Sequence, residues 1–352
     1  MLKTAYCKYD LRFIEPAKTS RCVMTEKETY FIKVWDADEP HKYGIGECPI
    51  FRGLSAEDSP NYESKIRELC RNINNEAHTD ITQYSSLKFG LETALLDYEN
   101  GCCRKPFPSS WSKGDSAIPI NGLVWMGTID EMSKRVDEKI AQGFRCVKLK
   151  VGACDFEEEL KLLDRIRLLY SPEKLEIRLD ANGAFTPDEA LVKLKRLSQL
   201  DIHSIEQPIK AGQWDKMAYL CENSPIDIAL DEELIGIYDI VQMRKMLYYI
   251  SPKYIILKPA LCGGISGAVQ WINCANAYEV GWWVTSALES NIGLNAIAQW
   301  VSTLETTIPQ GLGTGALYSN NIASPIEQIG DVLTYNEHKH WNIPDFKWII
   351  PE

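Results

Sequence analysis

The chain has 352 residues, is 45% apolar, 25% charged and 10% aromatic, and carries 38 Lys and Arg against 49 Asp and Glu for a formal charge of −11. That composition excludes a disordered or collagen-like chain. The acidic balance, without a clustered basic stripe, argues against nucleic acid as the partner.

The opening stretch, MLKTAYCKYDLRF, lacks the apolar core of a signal peptide. No uncharged apolar run approaches the ~18 residues a membrane span needs, so no membrane is expected. The eleven cysteines include no C-x-x-C spacing, and their number is odd. Reduced thiols in a cytoplasmic protein are the expectation. Tyr30–Trp35 alternates as a strand does, with Tyr43–Cys48 as its hairpin partner. Helical spacing follows over Ala56–Asn72 and Ser85–Glu99. Strands followed by helices predict a small α+β capping domain over 1–115, closed by the Pro- and Ser-rich stretch from Pro106 to Gly114.

From Ile118 a short apolar strand and an amphipathic helix alternate at intervals of roughly 25 residues. The predicted strands are Ile118–Leu123, Cys146–Val151, Leu175–Asp180, Ser204–Glu206, Ile226–Asp231, Tyr254–Lys258, Trp282–Ser286 and Ile308–Gly311. The helices between them include Ile129–Gln142, Phe156–Tyr170, Pro187–Gln199, Ile237–Tyr248 and Gly264–Tyr278. Thr186-Pro187-Asp188-Glu189 is a good helix start. Tandem units of this kind predict an α/β fold, a modified (β/α)8 TIM barrel over 116–312. A doubly wound sheet lacks support, because no G-x-G-x-x-G follows the first strand. The segment 313–352 is too irregular for another unit and is expected to return to the cap.

Catalytic groups of a barrel sit where its strands end. Strand two ends Lys148-Leu149-Lys150, strand three Arg178-Leu179-Asp180, the fourth in Glu206, the fifth in Asp231 and the sixth in Lys258. Side chains alternate along a strand, so Lys148 and Lys150 share one face, as do Arg178 and Asp180. Three carboxylates converging on one mouth need a counter-charge. Hard oxygen ligands without His or Cys suit Mg²⁺, with Mn²⁺ as a substitute. The histidines offer no general base: His203 opens strand four out of phase, and His41, His78, His338 and His340 lie outside the units.

This pattern resembles the enolase superfamily over nearly the whole chain, and Lys-x-Lys on strand two with a lysine on strand six resembles its muconate-lactonizing-enzyme subgroup. The resemblance implies a cap over a modified barrel, Asp180, Glu206 and Asp231 as metal ligands, and Lys150 and Lys258 as the acid/base pair. Within the subgroup, the segments Ile177–Gly183, Ala229–Leu234, Thr285–Gly293 and Gln310–Gly315 resemble the o-succinylbenzoate synthase branch. Dipeptide epimerases carry Asp-x-Asp on strand eight, whereas Gly311-Leu-Gly-Thr314 has no acid for a substrate ammonium group. Glu233 departs from relatives, which often have a small residue such as Ser there.

The activity so implied is a Mg²⁺-dependent syn elimination of water after a proton is taken next to a carboxylate, forming o-succinylbenzoate in menaquinone biosynthesis. Lys150 is the expected base, returning its proton to the departing hydroxyl. Lys258 is the facing cation. N-acylamino acid racemisation, dipeptide epimerisation or muconate-type cycloisomerisation could use the same site. The expected substrate contacts are Lys148, Arg178, Asn182, Ser286, Gly311, Gly313 and Arg52. Among these, Ser286 and the Gly311–Gly313 amides are assigned to a second carboxylate. The cap loops Glu15–Arg21 and Ile50–Ser55 are placed over the mouth by the resemblance, with Phe51 as an aromatic wall. The partner expected is a small carboxylate; an oligomer is compatible with the sequence.

Overall fold

The computed structural model describes residues 1–18, 23–75 and 79–351. Its first sheet is antiparallel in the order β1 (Leu2–Lys18), β2 (Val23–Asp36) and β3 (Tyr43–Cys48). The β2–β3 hairpin has the register that alternation suggested, from Tyr30 opposite Cys48 to Trp35 opposite Tyr43. Strand β1 was not legible in the sequence. Thr4 to Cys7 are all buried, because both faces of β1 are covered there and no alternation survives. Tyr6 packs with α1 (Tyr62–Arg71) and α2 (Ser85–Glu99), whereas Cys7 packs with Ile322 and Phe346 near the C-terminus. Helix α1 begins six residues later than predicted, beyond Pro60, while α2 has the predicted bounds. Close contact between α2 and β3 requires glycine: a Cβ on Gly46 would lie 1.9 Å from the Gly90 carbonyl oxygen.

After β4 (Ile118–Pro119), seven parallel strands alternate with helices. In chain order these are β5 (Gly122–Val124), α3 (Ile129–Ala141), β6 (Cys146–Lys150), α4 (Phe156–Leu169), β7 (Glu176–Asp180), α5 (Pro187–Leu197) and β8 (Ser204–Glu206). They continue with α6 (Trp214–Asn223), β9 (Asp227–Leu230), α7 (Ile240–Ile250), β10 (Tyr254–Leu257), α8 (Gly264–Ala277), β11 (Gly281–Val284) and α9 (Asn291–Val301). The strands pair strictly in sequence from β5 to β11, giving an α/β fold with a curled parallel sheet. Local signals explain the helix starts. Thr128 Oγ1 accepts from the Glu131 N–H at 3.2 Å, and the Glu131 carboxylate accepts from the Thr128 N–H at 2.8 Å, capping α3. Pro187 opens α5.

Val147, Leu149, Val151, Ile177 and Leu179 are buried in the large core with Leu162, Ile166, Ala190 and Leu194 from the helices. Their alternates therefore face the other side of the sheet. Helices α6 and α9 were not anticipated. Ten of the eleven residues of α9 are buried, so no polar face marks its period.

Two predicted strands differ from the structure. Ile118–Leu123 is broken at Asn121, and β4 leaves the parallel sheet to pair with the C-terminal hairpin β12 (Ile326–Ile329) and β13 (Val332–Tyr335). Ile308–Gly311 is not a continuous strand. It forms single parallel bridges, Gln310 to Ile120 and Gly311 to Thr285. The hairpin also gives the last 40 residues more order than their composition suggested. Further bridges, Tyr6 to Ile349 and Phe13 to Tyr318, tie the C-terminal segment to β1.

Among the described residues no helix is long and apolar enough to cross a membrane, and every cysteine is unpaired. Arg21, Cys22 and His78 lie outside the described residues.

Candidate active site at the strand ends

Strand register lines up the ionisable residues. Lys148 stands opposite Arg178, Lys150 opposite Asp180, and Asp180 opposite Glu206. Asp231 follows β9 directly, and Lys258 follows β10. Lys148 Nζ bridges Asp180 Oδ2 at 3.0 Å and Glu206 Oε2 at 2.9 Å. Lys150 Nζ donates to the same Asp180 oxygen at 2.9 Å and to Asn182 Oδ1 at 2.6 Å. Lys258 Nζ is hydrogen-bonded to Asp231 Oδ2 and lies 3.8 Å from Glu206 Oε1.

The charges bias one another strongly. Burial opposes the charge on Lys148, but Asp180 and Glu206 outweigh it and hold the ammonium above its ordinary range. Lys258 is raised too: burial opposes its charge, but Asp231 and Glu206 prevail. Asp180 is held far below the usual carboxylate range, since Lys148, Lys150 and Lys258 overcome its burial. Glu206 goes the other way. Burial, with Asp180 next to it, pushes its carboxyl up to about 7 against the pull of Lys148. Burial likewise raises Asp231, despite Lys258 beside it.

Among the described residues no three carboxylate, thiol or imidazole groups are already drawn together as a metal site, since the lysine ammoniums occupy carboxylate oxygens. The donor set nevertheless fits a hard divalent cation: oxygen ligands only, from adjacent strands. Glu206 Oε1 is buried without a hydrogen-bond partner among the described residues, a costly condition that a cation would relieve.

Above this layer opens a cavity. Lys148, Lys150, Asp180, Asn182 and Lys258 line it. Met24, Phe51 and Leu54 of the N-terminal region form one apolar wall, with Trp125, Leu261 and Leu288 from the loops after the parallel strands. The rest of its lining includes Asn121, Thr285, Ser286, Gly311, Gly313 and Thr314.

Of the residues expected to meet substrate, Lys148, Asn182, Ser286, Gly311 and Gly313 border this cavity; two do not. Arg178 is buried one layer deeper, where it donates to Glu176 Oε1 at 2.6 Å and the Pro309 carbonyl at 2.9 Å, with its guanidinium 4.4 Å from the Trp283 ring centre. Arg52 turns away to Glu28 at 2.5 Å and Asp58 at 2.8 Å. Ser286 borders the cavity, but its one hydroxyl proton points to Glu289, and its oxygen accepts from the Leu288 N–H at 2.9 Å. The Gly311 N–H is likewise engaged, by the Val284 carbonyl at 2.8 Å.

Residues that sequence reasoning missed supply the unengaged polar atoms. Asn121 Oδ1, Thr285 Oγ1 and Thr314 Oγ1 are buried and lack partners among the described residues. Gly311 makes room for one of them, since a Cβ there would lie 2.5 Å from Thr285 Oγ1. The glycine between Thr285 and its neighbours was the available signal; the hydroxyls themselves carry no sequence signature. His203 stacks on Tyr254 at 5.3 Å and contacts Trp283, which gives it a packing role.

The chain is similar to known proteins in sequence and in fold. The family model described as Enolase C-terminal domain-like matches residues 131–328. The chain is 43% identical to the o-succinylbenzoate synthase of Desulfotalea psychrophila, over 94% of this chain and 98% of that one. It is similar to the crystal structure of MenC from Desulfotalea psychrophila LSv54, with a TM-score of 0.84, 40% identity, and 95% of this chain and 99% of that one covered. The L-Ala-D/L-Glu epimerase of Bacillus subtilis shares the fold at a TM-score of 0.79 and 20% identity, over 95% of each chain. With 43% identity across nearly its full length and the family model over more than half of it, the chain belongs to the enolase superfamily and, within it, to the o-succinylbenzoate synthase family.

Proposed function

We propose that this protein is a Mg²⁺-dependent lyase that removes water from 2-succinyl-6-hydroxy-2,4-cyclohexadiene-1-carboxylate, giving o-succinylbenzoate for menaquinone biosynthesis in the cytoplasm. The sheet reads best as a modified (β/α)8 barrel over 116–312, with Gln310 and Gly311 at its seam. Residues 1–115 are its cap, and 313–352 its return. Asp180, Glu206 and Asp231 would hold the Mg²⁺, which supplies a Lewis acid for charge developing on the substrate carboxylate.

Lys150, oriented by Asp180 and Asn182, takes the proton from the carbon bearing that carboxylate. It returns the proton to the hydroxyl as the C–O bond breaks, so water leaves and the ring becomes aromatic. Lys258, anchored on Asp231, stays charged on the other side and stabilises the electron-rich transition state. Phe51, Leu54 and Trp125 exclude water from the ring. Thr285 and Thr314, whose hydroxyls can donate, are assigned to the succinyl carboxylate, in place of the engaged Ser286 hydroxyl.

The observation that carries this reading is a cavity with two lysines at Asp180 and only neutral groups at Asn121, Thr285 and Thr314. No acid lies in the Gly311–Thr314 stretch to receive an ammonium, which disfavours a dipeptide substrate. The test is turnover of the cyclohexadiene precursor by the purified protein, followed by absorbance, beside a panel of N-acylamino acids. Activity is expected to vanish in EDTA and return with Mg²⁺ or Mn²⁺. Full activity of metal-stripped protein, or turnover of the N-acylamino acids alone, would sink the proposal.

A second expectation concerns the two hydroxyls. Thr285→Val with Thr314→Val removes two donors of near-equal volume. A hydrogen bond to a charged group contributes about 1.5–3 kcal/mol, so KM should rise at least tenfold while kcat changes little. An unchanged KM would place the second carboxylate elsewhere.

A further inference from the structure

Gln207 and Glu233 form a buried clamp between the loops that follow β8 and β9, one residue from Glu206 and two from Asp231. Gln207 is fully buried and has φ +40°, a left-handed conformation uncommon for a residue with a side chain. All four hydrogen-bonding positions of its side-chain amide are occupied. Oε1 accepts from the Asp231 N–H at 3.2 Å and the Glu233 N–H at 3.4 Å. Nε2 donates to the Ile209 carbonyl at 3.0 Å and to Glu233 Oε2 at 3.0 Å. The other Glu233 oxygen accepts from the Gly212 N–H at 2.7 Å.

The direction of these bonds matters. An ionised carboxylate only accepts, so Glu233 requires the Gln207 amide to turn its NH₂ toward it. The amide oxygen must then face the Asp231 N–H. Reversed, the NH₂ would meet two backbone donors and leave the carboxylate unbonded. Glu233 thus shares with the Ile209 carbonyl and two backbone N–H groups the fixing of which way Gln207 points. Gln207 in turn holds the main chain of Asp231 at a set distance from the strand that ends in Glu206.

We propose that Glu233 is a positioning residue, which acts through Gln207 to fix the spacing of Glu206 and Asp231 and so the affinity of this site for Mg²⁺. The proposal rests on the reading of Glu206 and Asp231 as metal ligands.

The experiment is calorimetric titration of Mg²⁺ into chelator-stripped protein, for wild type, Glu233→Gln and the swapped pair Gln207→Glu/Glu233→Gln. Residues that orient metal ligands typically contribute about 10–100-fold in affinity. Glu233→Gln offers one oxygen and one NH₂ where the carboxylate offered two acceptors, so it no longer accepts from both Gly212 and Gln207 and should weaken binding by a factor in that range. The swapped pair sets a carboxylate at 207 against the Ile209 carbonyl, which the Gln207 NH₂ satisfies, and should not recover the loss. Should Glu233→Gln not fold, Glu233→Asp carries the same test, because the shorter carboxylate cannot reach both Gly212 and Gln207. A variant with lowered thermal stability and wild-type Mg²⁺ affinity would overturn the proposal in favour of a structural role. Wild-type protein that binds no Mg²⁺ would instead overturn the metal-site reading beneath it.

Discussion

Lys150→Ala is expected to lower turnover by roughly 10²–10⁴-fold, the usual contribution of a positioned acid/base group. The effect belongs at the upper end, because one group carries out both proton transfers when the proton and hydroxyl leave from the same face. Lys150 is held by Asp180 and Asn182 on one side of the cavity, and Lys258 by Asp231 from another strand. The two lysines therefore have separable jobs. Lys150→Arg should be as inactive as Lys150→Ala, since a guanidinium does not deprotonate in proteins. Lys258→Ala should lose about 10²–10³-fold, as when a transition-state donor is removed. Lys258→Arg keeps the charge and should retain more activity than Lys258→Ala. The measurement is kcat of the four variants at saturating Mg²⁺, with circular dichroism to confirm folding. If Lys150→Arg proves the more active of the two arginine variants, the assignment is reversed.

Asp180→Asn should be the most destabilising substitution at the site. Asp180 Oδ2 accepts from both Lys148 and Lys150, and the Asp180 and Lys148 side chains are almost completely buried. Removing one partner of a buried ion pair costs about 3–5 kcal/mol, because the remaining charge is left uncompensated. Here two ammoniums lose their shared partner, so urea unfolding should show a loss of that size. Mg²⁺ should no longer stabilise the variant. Adding Lys148→Met removes one of the two ammoniums and should recover part of the stability but none of the metal binding. An Asp180→Asn protein with wild-type stability, still stabilised by Mg²⁺, would contradict the electrostatic account.

The strand-end residues could be read from the chain because strand geometry has a period of two. Once Val147, Leu149, Ile177 and Leu179 are assigned to the helix side, Lys148, Lys150 and Asp180 must face the other. The same rule put Arg178 on the correct face but could not give its partners. Arg178 shares its register with Lys148, but its guanidinium is drawn to Glu176 and Trp283, whereas Lys148 reaches Asp180 and Glu206. Arg52 was misread for a related reason: in a turn, long-range partners decide direction, and Glu28 and Asp58 outcompete the cavity. Strand β1 escaped notice because its two faces are buried by different parts of the chain.

What the sequence by itself determined is the order Lys, Asp, Glu, Asp, Lys at five successive strand ends, and with it a carboxylate site between two lysines. That order follows from local periodicity, which any strand obeys wherever it lies. Only the tertiary structure decided which hydroxyls are unengaged. Ser286 donates its hydroxyl hydrogen bond to Glu289, whereas Thr285 and Thr314 meet no partner among the described residues. The direction of the Gln207 amide was decided in the same way, by a carboxylate 26 positions away together with backbone groups of both loops. A hydrogen bond satisfied inside the fold is no longer available to a substrate, and its partner is set by packing between distant segments, which no spacing along the chain encodes.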